Sequence, residues 1–508
     1  IAARGPASVI PDNAAADVRI TQPGTSGPIT LAGDPVNSVA YLRQCTDTAA
    51  EVDTANKTLF AYSVGITNGQ AALMLGLAVG DGALAPLTAG GILILDNASG
   101  SALTVNAALA DNSSTSGLQK SGDGSLVIAG PTLYTGPTLI SGGSLTFDGA
   151  AGPQSISANM SMNGHSVTKT GSSPLSLSAA VTAGSDAASI DVQEGTLSLE
   201  GGAQLNGSAA NTNYLRSGTT LNFSNLVSRP VWSLVCEDNT RYHIDNSASD
   251  SHNRWGGPVT LNGTLTLTSD GSFRGGFAGE ISGSGSLFKT NDLYFFITGT
   301  NNTYSGTTRV VGGWLYVNSL RNVGEPSSLG QPMNAADGTI RLGGGGTPGR
   351  IVYRGTGDVT DRVIDMAGTT GWTTLSHEGT GPLVISNLTV STAGSKMLYL
   401  IGPSTSTAEI VSGVVNSPSG ATTLEKQNAG TWILSGDCTY SGSTTVTDGH
   451  LIFNGNNTLA GSTALNKGKL TYTGNNILNG NLEVKNGTAT VTGTNAHTSG
   501  SILLGNLN

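Results

Sequence analysis

The sequence predicts an all-β protein, a right-handed parallel β-helix (β-solenoid) wound as a single elongated stack. Composition, apolar alternation and a recurring unit predict it. The chain has 73 glycines among 508 residues, about twice the usual frequency of about 7%. Charged residues are 11% where about 25% is ordinary, and Ser, Thr and Asn fill the gap. These residues favour turns and strands over helix. The apolar set is 37% and recurs at alternate positions, unlike the low hydrophobicity and high net charge of disordered chains. At 508 residues the chain exceeds the roughly 250–300 at which one compact core stops growing. A stack in which each repeat touches only its neighbours reaches that length naturally.

The recurring unit appears three times, at 118–147 (LQKSGDGSLVIAGPTLYTGPTLISGGSLTF), 287–317 (LFKTNDLYFFITGTNNTYSGTTRVVGGWLYV) and 424–453 (LEKQNAGTWILSGDCTYSGSTTVTDGHLIF). Each copy opens on a lysine, Lys120, Lys289 or Lys426, with Tyr-x-Gly 14 or 15 residues later: Tyr134 and Gly136, Tyr304 and Gly306, Tyr440 and Gly442. Eleven residues after the tyrosine stand Leu145, Leu315 and Leu451. Lys169, with Leu175 and Leu177, begins a weaker copy, and short units such as Gly263 to Leu267 fill the intervals. Period-2 alternation sends one side of each strand inward, and Gly, Asn and Asp turn the corners. A strand–corner–strand unit about every 20–25 residues is a coil around an apolar axis. Its rungs rise by about 4.8 Å. Residues 1–65 are expected to form an atypical N-terminal segment or cap, with a helix-like stretch from Thr48 to Asn56, and 66–508 the β-helix, interrupted by a loop at 229–255.

Composition also excludes function classes. A net charge of −10 without any Lys/Arg run lacks the footprint of nucleic-acid binding. The longest apolar stretch, Ala71 to Val79, falls far short of the roughly 18 residues of a membrane helix. Cys45, Cys236 and Cys438 make no CxxC pair and no disulfide framework. The chain starts Ile1, Ala2, Ala3, as expected of a processed protein or a fragment.

GEISGSG at Gly279 to Gly285, the NTYSG that follows, and Ala429 to Gly436 with TYSGSTTV resemble the passenger-associated transport repeats of bacterial autotransporters. The Gly-rich surface proteins of Verrucomicrobia and Planctomycetes look similar, as at Arg254 to Leu261 and Gly355 to Arg362. The resemblance spans about residues 70–500 and implies a right-handed β-helix passenger, export and a surface location. The sequence departs from it in having no C-terminal run of amphipathic strands for a translocator barrel.

Candidate chemistry is sparse. The densest polar and aromatic region, 229–255, holds Trp232, Asp238, Arg241, Tyr242, His243, Asp245, His252 and Trp255. It reads as a sugar site with Asp238 or Asp245 as acid or base, or as a loop carrying ordinary surface residues. Glycoside hydrolysis requires two carboxylates about 5–9.5 Å apart across the substrate. Gly344 to Gly349 satisfies G-x-G-x-x-G, but a strand pattern follows where the nucleotide fingerprint needs a helix. The six histidines show no i, i+4 pair, and the GDG turns at Asp81 and Asp123 stand alone, so neither metal nor cofactor is expected. The motif tyrosines read as corner packing and the motif lysines as solvated rim residues. The function expected is a surface shaft that self-associates into a layer or fibre. The alternatives are an autotransporter-type adhesin binding host or biofilm ligands, and a polysaccharide lyase or glycosidase; besides self-association, glycans or other surface proteins are the partners considered.

Overall fold

The computed structural model describes residues 8–21, 27–184, 187–246 and 253–505. They form a parallel β-solenoid in two compact units, Ile1–Pro258 and Val259–Asn508.

In the N-terminal unit one 11-stranded sheet runs from Asn13–Ile20 to Gln204–Asn206, a second series from Ala50–Val52 to Ser233–Cys236, and a third from Gln154–Ile156 to Thr240–Asn246. Rungs stack in register, like on like. Leu103 pairs with Leu73 below and Leu126 above, and Val105 with Leu75 and Ile128. These inward columns are fully buried, and each such side chain contributes about 1.5–3 kcal/mol. One column breaks the rule. Asn213 stands between Ile190 and Leu234, fully buried, with neither amide atom bonded to protein. The stretch Thr48 to Asn56 is not helical. It contains the strand Ala50–Val52, paired with Leu73–Leu75, and ends where Ala55 and Asn56 turn through positive φ.

In the C-terminal unit one series runs from Thr264–Ser269 to Thr488–Val491 and another from Arg274–Phe277 to Ile502–Leu504. A three-stranded sheet, Thr458–Leu459, Asn476–Leu478 and Asn495–His497, completes the last rungs. Those rungs are 19 residues apart, shorter than the sequence suggested. Asn457 donates to Asn476 (2.6 Å) and Asn476 to Asn495 (2.7 Å), each across 19 residues. Corners built from Gly and Asn without a loop permit the shorter period. Residues 318–339 form an insertion with the short helix Ala335–Gly338. Buried Arg362 holds it, donating to Gly338 O (3.0 Å), Ser327 Oγ (3.1 Å) and Leu329 O (2.9 Å).

The motif residues make the corners. Lys120, Lys169, Lys289 and Lys426 are not solvated rim residues; at most 1% of each is exposed. Each points inward from the last or next-to-last position of its strand and spends its ammonium on corner carbonyls. Lys426 donates to Gln427 O (2.7 Å), Asn428 O (2.6 Å) and Asp448 O (3.1 Å). Lys120 likewise binds Ser121, Gly122 and Gly142 oxygens. The error has a simple source, because a lone lysine among polar residues looks solvated until the turn's carbonyls are placed around it. Buried Tyr134, Tyr304 and Tyr440 each bond the hydroxyl of a threonine four residues on, Thr138 (2.7 Å), Thr308 (2.8 Å) and Thr444 (2.5 Å). At Gly136, Gly306 and Gly442 a Cβ would run into the carbonyl oxygen of the neighbouring rung, from Ser116, Gly285 and Thr422.

Three outcomes follow from this geometry. Asn213→Leu removes an unsatisfied amide from an apolar column and raises unfolding stability by about 1–3 kcal/mol, read by denaturant titration. Lys426→Met strands three corner carbonyls and costs about 1–3 kcal/mol, visible as faster hydrogen exchange in the surrounding rungs. Burial pushes Lys120 and Lys426 down to about 8 and Lys289 to about 7 from the ordinary 10.5. The unfolded chain therefore binds more protons between about pH 7 and 10, and stability rises with pH across that window. Above it the trend reverses, because burial raises Tyr304 and Tyr472 to about 12 and the unfolded tyrosines ionise first. Denaturation midpoints at pH 7, 9 and 11 check both limbs.

Candidate functional site

The cluster at 229–255 divides by strand alternation. Trp232, Tyr242 and Trp255 point inward and are fully buried. Trp255 Nε1 donates to Trp232 O (2.8 Å), Tyr242 Oη donates to Asn253 O (2.9 Å), and Phe223 stacks on Tyr242 at 4.6 Å. Arg241, His243 and Asp245 take the opposite face of the same strand, and Asp238 lies exposed in the preceding turn. Asp245 accepts from Asn222 (2.9 Å), while Arg216 bonds Asp191 (2.7 Å) and Glu237 (2.9 Å). The aromatic rings are thus in the core, where no sugar could stack on them. His252 and the rest of 247–252 lie outside the described residues.

Accessible aromatic side chains gather instead on an outward face of the C-terminal unit. The strands Tyr294–Ile297 and Trp314–Val317 alternate inward apolar residues with outward rings. Register places Tyr294 beside Trp314 and Phe296 beside Tyr316. The next rungs continue the rows with Arg350 beside Thr374, and Thr374 beside Tyr399. Phe296 and Tyr316 stack at 4.4 Å, and Arg354 lies 4.3 Å over Tyr316 while pairing with Glu378 at 2.8 Å. Arg350 lies between two indoles, 5.1 Å from Trp314 and 5.4 Å from Trp372. Together with Thr374, Tyr399 and Gln427 they line a shallow, open recess of about 260 Å³. Burial lowers the Arg350 pKa from its ordinary value and raises that of Tyr399. Of the five tryptophans, Trp232, Trp255 and Trp432 are buried; the other two meet here.

Sequence reasoning missed this face. Trp314 and Arg350 are distant in the chain, and Trp314 stands inside the repeat copy at 287–317 as one strand residue among several. The available signal was two consecutive aromatic strands, YFFI and WLYV, in a chain with 5% aromatics.

A model of the passenger-associated-transport repeat matches residues 118–147, 293–317 and 424–451. The chain carries three copies of this repeat. The matches coincide with corners built on buried tyrosines, and the middle one contains Tyr294, Phe296, Trp314 and Tyr316. This passenger-repeat chain is also 35% identical over 182 residues to the adhesin BmaC autotransporter of Brucella suis biovar 1 (strain 1330). That match covers 35% of this chain and 5% of the adhesin's length. No solved structure matches. Among the described residues no group of three or more His, Cys, Asp or Glu is placed to hold a metal ion, and no helix is long and apolar enough to cross a membrane.

The partition of tryptophans has a direct optical consequence. Acrylamide quenches the emission of Trp314 and Trp372 and spares the three core indoles, and Trp372→Ala removes about half of the quenchable signal. Stern–Volmer titration of the folded protein checks this.

Proposed function

We propose that this chain is the ligand-displaying shaft of an exported, cell-surface adhesin, and that it works by binding without chemical turnover. The observation that carries the reading is the outward aromatic and arginine face, set on a scaffold that carries passenger repeats. The partial similarity to an autotransporter adhesin supports it. Rungs whose inward columns are fully packed make a stiff support, and function then resides in what the outward positions present. This reading is favoured over the self-associating layer because the concentrated surface feature is an open recess lined with hydrogen-bonding groups. It is favoured over a polysaccharide-processing enzyme because the ionisable residues of 229–255 are separated from the rings that would hold a sugar.

Beads coated with the purified chain, presented to host cells and to biofilm material, provide the test. Saturable attachment, competed by the soluble chain, is the expected outcome. Filaments in negative stain without attachment would favour the self-assembling shaft, and release of new reducing ends from polysaccharide would establish an enzyme; either result overturns the adhesin reading.

A further inference from the structure

The recess around Arg350 contains recognition groups that the protein does not use on itself. Arg43, Arg216 and Arg354 all meet carboxylates, at 3.4, 2.7 and 2.8 Å. Arg350 forms no ion pair among the described residues. Its guanidinium carbon lies over the Trp314 and Trp372 rings, 5.1 and 5.4 Å from their centres, contacts that attract the cation without occupying its N–H donors. Among the described residues the indole N–H groups of Trp314 and Trp372 and the hydroxyl of Tyr399 likewise make no hydrogen bond, and Gln427, whose amide nitrogen donates to Glu425 at 2.7 Å, keeps its side-chain carbonyl for a ligand. Trp372 is 39% exposed, which leaves ring surface for a flat apolar partner.

We propose that this recess binds a glycan through one acidic sugar, the pyranose lying against an indole and its anionic group taken by Arg350. Three features select this chemistry. Aromatic faces receive the C–H side of a sugar ring, and a guanidinium gives a carboxylate or sulfate two parallel donors. The recess lies on the interior of a sheet whose strands are paired on both sides, so no free edge invites an extended peptide. The chain's net charge of −10 opposes a long polyanion wherever its further charges come within about 8 Å of the surface, the range over which repulsion survives screening, so a neutral glycan bearing a single acidic residue fits better. This inference rests on the adhesin reading and supplies its ligand class.

The test uses the full chain and four probes: a neutral oligosaccharide carrying one hexuronate, its carboxyl-reduced twin, the same oligosaccharide with one sulfate ester, and an acidic peptide. Binding is read by calorimetry and tryptophan fluorescence. The uronate or the sulfate probe, or both, should bind about tenfold or more tighter than the neutral twin, the arms showing which anion is preferred. Arg350→Gln should abolish that preference, and Trp372→Ala, at an exposed position, should weaken every glycan probe with the unfolding midpoint unchanged. Equal affinity for acid and neutral probes, wild-type affinity in both variants, no saturable binding, or tighter binding of an acidic peptide would each overturn the proposal. If both variants keep wild-type attachment in the bead assay, the recess fails as the ligand site while the adhesin reading stands. Probe binding without cell attachment would do the reverse.

Discussion

A solenoid of this kind depends on how its corners are satisfied. Strands find their hydrogen bonds in the rungs above and below, but a corner carbonyl curls toward the axis, where no neighbouring N–H follows it. A buried polar oxygen without a donor costs free energy. Lys120, Lys169, Lys289 and Lys426 answer this from inside, each reaching a corner with a terminal amine that meets two or three oxygens. The opposite demand arises where rungs must approach closely, and there a side chain is absent altogether, as at Gly442 against Thr422. Donors placed inward and side chains left out are two responses to one geometry.

Because the axis is filled by the inward half of each strand, the outward half is free to vary. Trp255 and Trp314 illustrate the difference. Both stand on short strands, yet the first bonds the rung below from within the core and the second faces solvent beside an arginine. Side-chain parity, more than residue type, decides whether an aromatic residue stabilises the stack or meets a ligand.

Parity was legible in the sequence within a strand but not between strands. The alternation in GTLTL at 263–267 showed which residues face inward, as buried Leu265 and Leu267 do, and the Tyr-x-Gly spacing located the corners, because both are local periodicities. The burial of the lysines was not legible, since the oxygens that require them belong partly to the next rung. Nor was the recess, which brings Trp314 alongside Arg350 only because the insertion at 318–339 is looped out of the rung. The cluster at 229–255 misled for the same reason: density along the chain is not proximity on one surface when successive side chains point in opposite directions.

The uniform rungs near the C-terminal end of the described chain carry a further implication. A strand whose neighbours repeat every 19 residues, asparagine above asparagine, has a nearly isoenergetic partner one turn out of step, so local pairing alone cannot say where winding should begin or stop. Irregular rungs can. Tyr316 pairs with Val352, and Arg362 docks a folded insertion that exists only once. Such unrepeatable contacts act as index marks on an otherwise monotonous thread, and they assign every later turn its place.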